Sequence, residues 1–282
     1  MSAADPIPAI REEDATGETA ALFADLRATL GVPFVNLIWR HLATIPGGLD
    51  WTWALAKPLY ETADLDQAAA ALRDVAALPE LAPIPEAVWD CAGIGAADRA
   101  EIAGLIRDYN HANGVNFLAL LTAVSVLRPD AASRPVALRA PSGRGIAGAP
   151  SGTVRPLPPL SDLAPPVVAT VRELDRFGRL GDNDAVASLY RHLGYWPVFL
   201  AMSHAGLAPY HRNGALAGAQ ARVIAAGREH AGRLAELVGR EPGTLDPDTR
   251  RRVFAALDEF TRLMIGRMVV MGSALLTQLP RA

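Results

Sequence analysis

The feature of this sequence that most constrains its fold is a repeat at a single spacing of 151 residues. Shifting the chain by this spacing superposes Arg40-His41-Leu42 on Arg191-His192-Leu193. The same shift superposes two apolar stripes, so that Ile102, Leu105, Ile106 and Tyr109 meet Val253, Ala256, Leu257 and Phe260. One ungapped offset that links separated segments indicates an internal duplication. Two copies are too few for a solenoid, so we expect a pseudo-dimer with a ligand cleft between its halves.

Apolar residues recur with a helical period along most of the chain. The stripe from Ile102 to Tyr109 follows the i, i+3, i+4, i+7 spacing of a helix that faces a core. Asp98 with Glu101 predicts a capping box, and Asp246 before a proline predicts another helix start. Runs of alternating β-branched residues are absent, and the sequence therefore predicts an all-α protein.

A segment rich in proline, glycine, serine and arginine interrupts the helical pattern in the middle of the chain. We predict a first helical half over 1–128, a linker over 129–159 and a second half over 160–282. The linker contains Gly143-x-Gly145-x-x-Gly148, but neither the strand before nor the helix after that a dinucleotide site requires is predicted.

Composition excludes several classes of partner and cofactor. The net charge of -3 gives no basic face for nucleic acid. Cys91 is the only cysteine and the histidines lack metal-ligand spacing, so we expect neither a disulfide nor a metal.

The sequence also favours a protein that works outside membranes. The longest apolar stretch, Val115 to Leu127, is shorter than the roughly 20 residues that span a bilayer. The segment from Met1 to Asp14 lacks the basic and apolar regions of a signal peptide. We therefore expect a cytoplasmic protein, and we leave open whether it forms a homo-oligomer.

Positions that differ in chemistry between the two repeats are candidates for a site present once. One cluster pairs Pro33 with Asp184, Asn36 with Ala187, Leu37 with Ser188 and Trp53 with His204. It lies where we expect helices to begin, near Pro33 and Asp184. A second cluster, near a predicted helix junction at Gly114, pairs Asn110 with Thr261, His111 with Arg262, Asn113 with Met264 and Asn116 with Arg267. Drift of surface positions and helix caps is the alternative explanation. His41 and His192 are equivalent, which favours a role in the fold.

Several motifs together resemble a known family. They are Leu30-Gly-Val-Pro33-Phe34, Arg40-x-Leu42-Ala43-Thr44-x-Pro46-Gly47, Tyr109-Asn110-x-x-Asn113, and Trp196-Pro197 with Leu207-Ala208-Pro209. Over nearly its whole length the chain resembles the group I 2-haloacid dehalogenases, which act on both D- and L-2-haloacids. The resemblance implies an all-helical pseudo-dimer with a buried active site between its halves. It implies that an aspartate activates a water, which displaces halide at C2 without a covalent ester and without a metal or organic cofactor.

The resemblance assigns roles to individual residues. The water-holding asparagine falls on Asn113, the aromatic pocket position on Phe34 and a neighbouring apolar position on Leu37. The family pattern Ser-Asp-Phe reads Ser188-Leu189-Tyr190 here, and a late family tyrosine falls on Phe260. Leu189 therefore stands where the resemblance places the catalytic aspartate, and leucine cannot accept a proton.

Three functions remain open at this point. The first is a hydrolase of altered chemistry on a small carboxylic acid, in which Asn36, Asn110, Asn113, Ser188 and either Asp184 or His111 position substrate and water. The second is a catalytically inactive protein that binds a small acid in the same pocket. The third is a structural or partner-binding helical protein, in which the polar contrasts between repeats are drift.

Overall fold

A computed structural model describes residues 7–128, 154–181, 185–238 and 242–280 of the chain. Over these ranges the protein is built from helices and contains no β-strand, which confirms the predicted all-α class.

The helices follow one another through short connections. The first half contains α1 (Gly17–Leu30), α2 (Leu37–Leu42), α3 (Gly48–Tyr60), α4 (Ala63–Ala76), α5 (Glu86–Cys91) and α6 (Ala96–Leu127). The second half contains α7 (Pro165–Arg176), α8 (Ser188–Leu193), α9 (Pro197–Arg212), α10 (Ala215–Leu234), α11 (Pro247–Glu259) and α12 (Gly266–Gln278). A π-helical turn, Phe260–Ile265, joins α11 to α12 without a break.

The centre of the molecule is formed by α4, α6, α10 and α12, which pack on one another across the two predicted halves. All four residues of the stripe from Ile102 to Tyr109 are buried, as the period predicted. The run Pro247–Gln278 is long and apolar enough to span a membrane, but 78% of its apolar window is buried inside the protein. Core packing therefore accounts for its hydrophobicity.

Helix boundaries recur at the spacing found in the sequence. Leu37–Leu42 and Ser188–Leu193 are offset by 151 at both ends. The same offset relates Ala96–Leu127 to Pro247–Gln278. These coincidences agree with a duplicated chain, and the duplication itself stays a prediction.

One predicted cap is present and another is not. Asp246 caps α11, because its carboxylate accepts hydrogen bonds from two backbone N–H groups of the first turn. The capping box at Asp98 and Glu101 is wrong, since α6 already begins before both residues. Their carboxylates bind distant groups instead: Asp98 accepts from Trp196 Nε1 at 2.8 Å and Glu101 pairs with Arg155 at 2.7 Å.

The predicted positions of two helix starts and one junction also need correction. The short helices begin at Leu37 and Ser188, a few residues beyond the expected starts near Pro33 and Asp184. No junction exists at Gly114, because α6 runs through it unbroken. A Cβ at Gly114 would lie 3.7 Å from Ala69 of α4, so this glycine serves close helix packing.

The predicted linker lies mostly outside the described residues, and the domain boundaries stay predictions. Its last residues, 154–159, are extended and tied to the second half. Their backbone carbonyls accept hydrogen bonds from Arg191, His192 and Tyr195. This part of the predicted linker is therefore a structural strap on α8.

Candidate functional site

A chamber lies between the two predicted halves, with α2 and α6 on one side and α8 and the π-helical turn on the other. Its empty volume is about 420 Å³, including its mouth. Its lining residues are Asn36, Leu37, Ile38, Tyr109, Asn113, Asn116, Ala187, Ser188, Leu189, Phe260, Met264, Ile265 and Met268. Among the described residues, those that line it are apolar or neutral polar, and none is acidic.

The structure brings most of the predicted site residues together. Those that line the chamber are Asn36, Leu37, Asn113, Ser188, Leu189 and Phe260. Phe34 lies just outside and stacks on Tyr109, with the ring centroids 4.1 Å apart.

Three other candidates are not in the chamber. Asn110 faces α12, where its Oδ1 accepts a hydrogen bond from Ser273 Oγ at 3.4 Å and contacts the backbone at Gly272. Its predicted contact with substrate is therefore unsupported by the chamber's geometry. His111 is not a lining residue, and Asp184 lies outside the described residues.

A rigid chain of amides forms one wall. The side-chain oxygen of Asn116 accepts hydrogen bonds from Trp39 Nε1 at 3.1 Å and from the Tyr60 hydroxyl at 2.6 Å. The Asn116 amide nitrogen then donates to Asn36 Oδ1 at 3.0 Å. These contacts fix the orientation of both amides. The Asn36 NH₂ group is left without a partner among the described residues, at the edge of the chamber.

Asn113 presents an amide that the fold does not use. It lies on α6, one turn after Tyr109, so both side chains project on the same face. Only 7% of Asn113 is exposed, and in the described part of the chain its side chain makes no hydrogen bond. A buried amide without a protein partner is suited to holding water or a ligand.

Tyr109 and His192 form a hydrogen-bonded pair beside the chamber. His192 Nε2 lies 3.0 Å from the carbonyl of Arg155, which can only accept, so Nε2 carries the hydrogen in the neutral ring. His192 Nδ1 is then the acceptor for the Tyr109 hydroxyl, 2.8 Å away. Burial lowers the pKa of His192 to about 4, so the ring is neutral at pH 7. Burial also raises the pKa of Tyr109, which keeps its proton.

A buried ion pair holds the chain where it enters α8. Asp175 accepts a hydrogen bond from the backbone N–H of Ala187 at 3.1 Å and contacts both Arg267 and Arg179. Asp175 and Arg267 are almost completely buried. This network fixes the backbone that carries Ser188 and Leu189 into the chamber wall. The Ser188 hydroxyl is buried beside Tyr109 and completes no hydrogen bond of good geometry.

A wide groove adjoins the chamber. It encloses about 2310 Å³, including space open to solvent, and shares Tyr109 and Ser188 with the chamber. Arg40 and Arg191 line it, and each donates to a backbone carbonyl. Their positive charge favours the approach of a small anion to the chamber.

Sequence reasoning missed Tyr109 and His192, which it assigned to the core and to the fold. The contrast between Tyr109 and Phe260 across the repeat is the signal that could have identified the pair. Among the described residues no cluster of histidine, cysteine or carboxylate side chains could hold a metal ion.

Comparison with known proteins places the chain beside one group of enzymes. No family model matches it. It is 29% identical over 244 residues to a configuration-inverting 2-haloacid dehalogenase of Alcaligenes xylosoxydans xylosoxydans, covering 84% of this chain and 78% of that protein. It is 36% identical over 81 residues to an (R)-2-haloacid dehalogenase of Pseudomonas putida, 27% of each chain. The chain is therefore homologous to configuration-inverting 2-haloacid dehalogenases.

The fold agrees with this relationship. A solved structure of a D-2-haloacid dehalogenase variant superposes with a TM-score of 0.75 at 16% identity, over 98% of this chain and 97% of that chain. The narrower prediction of a group I enzyme, acting on both enantiomers, stays a prediction.

Proposed function

We propose that this protein is a dehalogenase-like hydrolase that receives a small 2-halogenated carboxylic acid in the chamber. Water attacks C2 directly, halide leaves, and no covalent intermediate forms on the protein. The observation that supports this proposal is the homology to 2-haloacid dehalogenases across 84% of the chain.

The chamber residues suit distinct parts of this reaction. The unpartnered amide of Asn113 holds the attacking water. The NH₂ group of Asn36, oriented by Asn116, donates to the carboxylate of the acid. Leu37 and Met264 supply apolar contact for the alkyl chain and the halogen. Binding therefore uses neutral donors, and the substrate brings the only charge.

Altered chemistry is part of the proposal, because the resemblance places the catalytic aspartate on Leu189. Leu189 is 1% exposed in the chamber wall and cannot accept a proton. A general base typically contributes a factor of about 100 to 10,000. We expect a correspondingly slow turnover unless another group takes the proton, and Asp184 remains a candidate for that role.

An inactive acid-binding protein is the second candidate. Leu189 and the lack of an acidic side chain among the described lining residues favour it. In this case the chamber binds the same acids without releasing halide.

The decisive experiment restores a carboxylate. Halide release from each enantiomer of 2-chloropropionate is measured for the wild type, Leu189→Asp and Leu189→Asn. We expect Leu189→Asp to raise kcat by about 100- to 10,000-fold, because it supplies a base beside Asn113. Leu189→Asn is the control of similar shape that cannot act as a base.

The outcome distinguishes the two candidates. Slow halide release by the wild type supports the hydrolase, and its persistence in Asp184→Ala removes Asp184 as the base. Thermal stabilisation by 2-chloropropionate without any halide release supports the binding protein. A folded Leu189→Asp variant that neither releases halide nor is stabilised by the acid would contradict both.

A further inference from the structure

We propose that Tyr109 and His192 together accept the proton of the attacking water, as a base assembled from both halves of the chain. This inference deepens the proposed hydrolase function and rests on it. It assigns a catalytic role to two residues that line the chamber or its entrance.

Position is the first argument. Tyr109 and Asn113 are i and i+4 on α6, and both line the chamber. Side chains at this spacing have Cβ atoms about 5 to 6 Å apart on one helix face. A water bound to the Asn113 amide therefore lies within reach of the phenol oxygen of Tyr109.

The direction of the hydrogen bonds is the second argument. The Tyr109 hydroxyl donates to His192 Nδ1, so its own proton already points away from the chamber. The lone pairs of the phenol oxygen stay available as acceptors on the side of Ser188 and Asn113. His192 Nε2–H is fixed by the Arg155 carbonyl, which prevents the ring from presenting the other tautomer.

The proton transfer balances without any further reactant. The water oxygen forms a bond to C2 while the carbon–halogen bond breaks, and halide leaves with the electron pair. The water proton moves to the Tyr109 oxygen, and the Tyr109 proton moves to His192 Nδ1. His192 becomes an imidazolium and returns its proton to solvent through the groove that it lines.

The surroundings of His192 set its strength as a base. Arg191 and Arg40 disfavour the imidazolium, the Arg155 carbonyl favours it, and Glu101 faces this region paired with Arg155. With a pKa of about 4, lowered chiefly by burial, His192 resembles an aspartate, whose ordinary pKa is about 3.9. It is unprotonated and ready to accept at neutral pH.

The second histidine of the repeat lacks this arrangement and provides a matched control. His41 stacks on Phe260, with centroids 5.6 Å apart, and Phe260 has no hydroxyl. His41 is not a lining residue of the chamber. Substituting His41 therefore tests the effect of losing a histidine at the equivalent place, without loss of a proton path.

The experiment compares Tyr109→Phe, His192→Gln and His41→Gln in the wild type and in Leu189→Asp. In the wild type we expect Tyr109→Phe and His192→Gln to lower kcat for 2-chloropropionate about 100-fold or more, and His41→Gln to leave it unchanged. In Leu189→Asp the new carboxylate takes the proton, so the same two changes should cost at least tenfold less than they do in the wild type. The melting temperature confirms folding of each variant.

Different failures have different meanings. Equal losses in both backgrounds would show a structural role and overturn the inference, as would full activity of Tyr109→Phe in the wild type. Halide release by Leu189→Asp with none by the wild type would overturn the inference and leave the chamber assignment standing. No release by any variant, without stabilisation by 2-chloropropionate, would mean that the proposed function has failed.

A pH profile adds a second readout. The wild-type kcat/KM should fall as the pH drops through about 4, because a protonated His192 cannot accept. A profile unchanged by His192→Gln would contradict the inference.

Discussion

Helices α2 and α8 have the same length and end in the same His-Leu pair, yet their histidines make different contacts. Each histidine meets an aromatic ring on the long helical run of the other half. His41 stacks on Phe260, whereas His192 accepts a hydrogen bond from Tyr109. One hydroxyl group therefore turns an apolar contact into a polar pair, at the same place in the fold.

The chain segments that enter these helices differ in a similar way. Asn116 and Arg267 are equivalent under the 151-residue shift, and each anchors the entry of a short helix. Asn116 does so with a neutral amide that reaches Asn36. Arg267 does so through the buried carboxylate of Asp175. The comparison teaches that the first half turns its polar anchor toward the chamber, while the second half keeps its charges behind the wall.

Breaking the charged anchor should have the largest effect on stability. Arg267→Met leaves Asp175 buried with one partner fewer, and we expect the free energy of unfolding to fall by about 3 to 5 kcal/mol. Urea unfolding measures it. Arg233→Met removes an exposed ion pair to Glu229 and should cost at most about 1 kcal/mol. Similar losses in the two variants would refute a special role for the buried pair.

The two histidines should differ in how they couple stability to pH. The pKa of His192 is about 4 in the folded protein and about 6.5 when unfolded, so below pH 6.5 the unfolded chain takes up a proton that the folded protein does not. The free energy of unfolding should therefore fall by about 3 kcal/mol as the pH drops from 6.5 to 4. Urea unfolding across this range should show a shallower dependence for His192→Gln, and the wild-type dependence for His41→Gln.

The neutral anchor should matter less for stability than the charged one. Asn116→Ala leaves the Trp39 and Tyr60 donors and the Asn36 oxygen without their partner, at an expected cost of about 1 to 3 kcal/mol. The freed Asn36 amide should also raise the KM for 2-chloropropionate. An unchanged KM in a folded variant would count against Asn36 as a substrate contact.

The smallest effect should come from making the two rings alike. Phe260→Tyr adds a hydroxyl beside His41, and we expect the free energy of unfolding to change by less than about 1.5 kcal/mol. His41 Nδ1 already faces the Pro8 carbonyl at 2.7 Å, so this nitrogen is a donor and cannot take the new proton. The variant should gain no halide release, and a rate increase would show that the equivalence of the rings is closer than their contacts indicate.

Periodicity was sufficient to predict the class of the fold, because burial of an apolar helix face leaves a regular trace in the sequence. Helix ends were harder to predict. Asp98 has the right spacing for a cap, but its carboxylate binds Trp196 instead, and such a tertiary contact leaves no local pattern. Gly114 was taken for a junction although it serves close packing inside one helix.

The site was predicted where the repeats differ in polarity. Asn36 and Asn113 were found because their counterparts, Ala187 and Met264, are apolar. Tyr109 was missed because tyrosine and phenylalanine look alike in an apolar stripe. Its role depends on the position of one hydroxyl relative to His192, and sequence separation gives no measure of that distance.

The chamber has walls from both halves of the chain, with Asn36 and Asn113 facing Ser188 and Leu189. A substitution on either side therefore changes the shape that the opposite side must fit. After a duplication of this kind the two copies are not free to drift apart, because mutations selected for ligand preference in one copy alter the selection on the other. Loss of an acid at one wall would accordingly be a change of circumstance for every residue across the cavity.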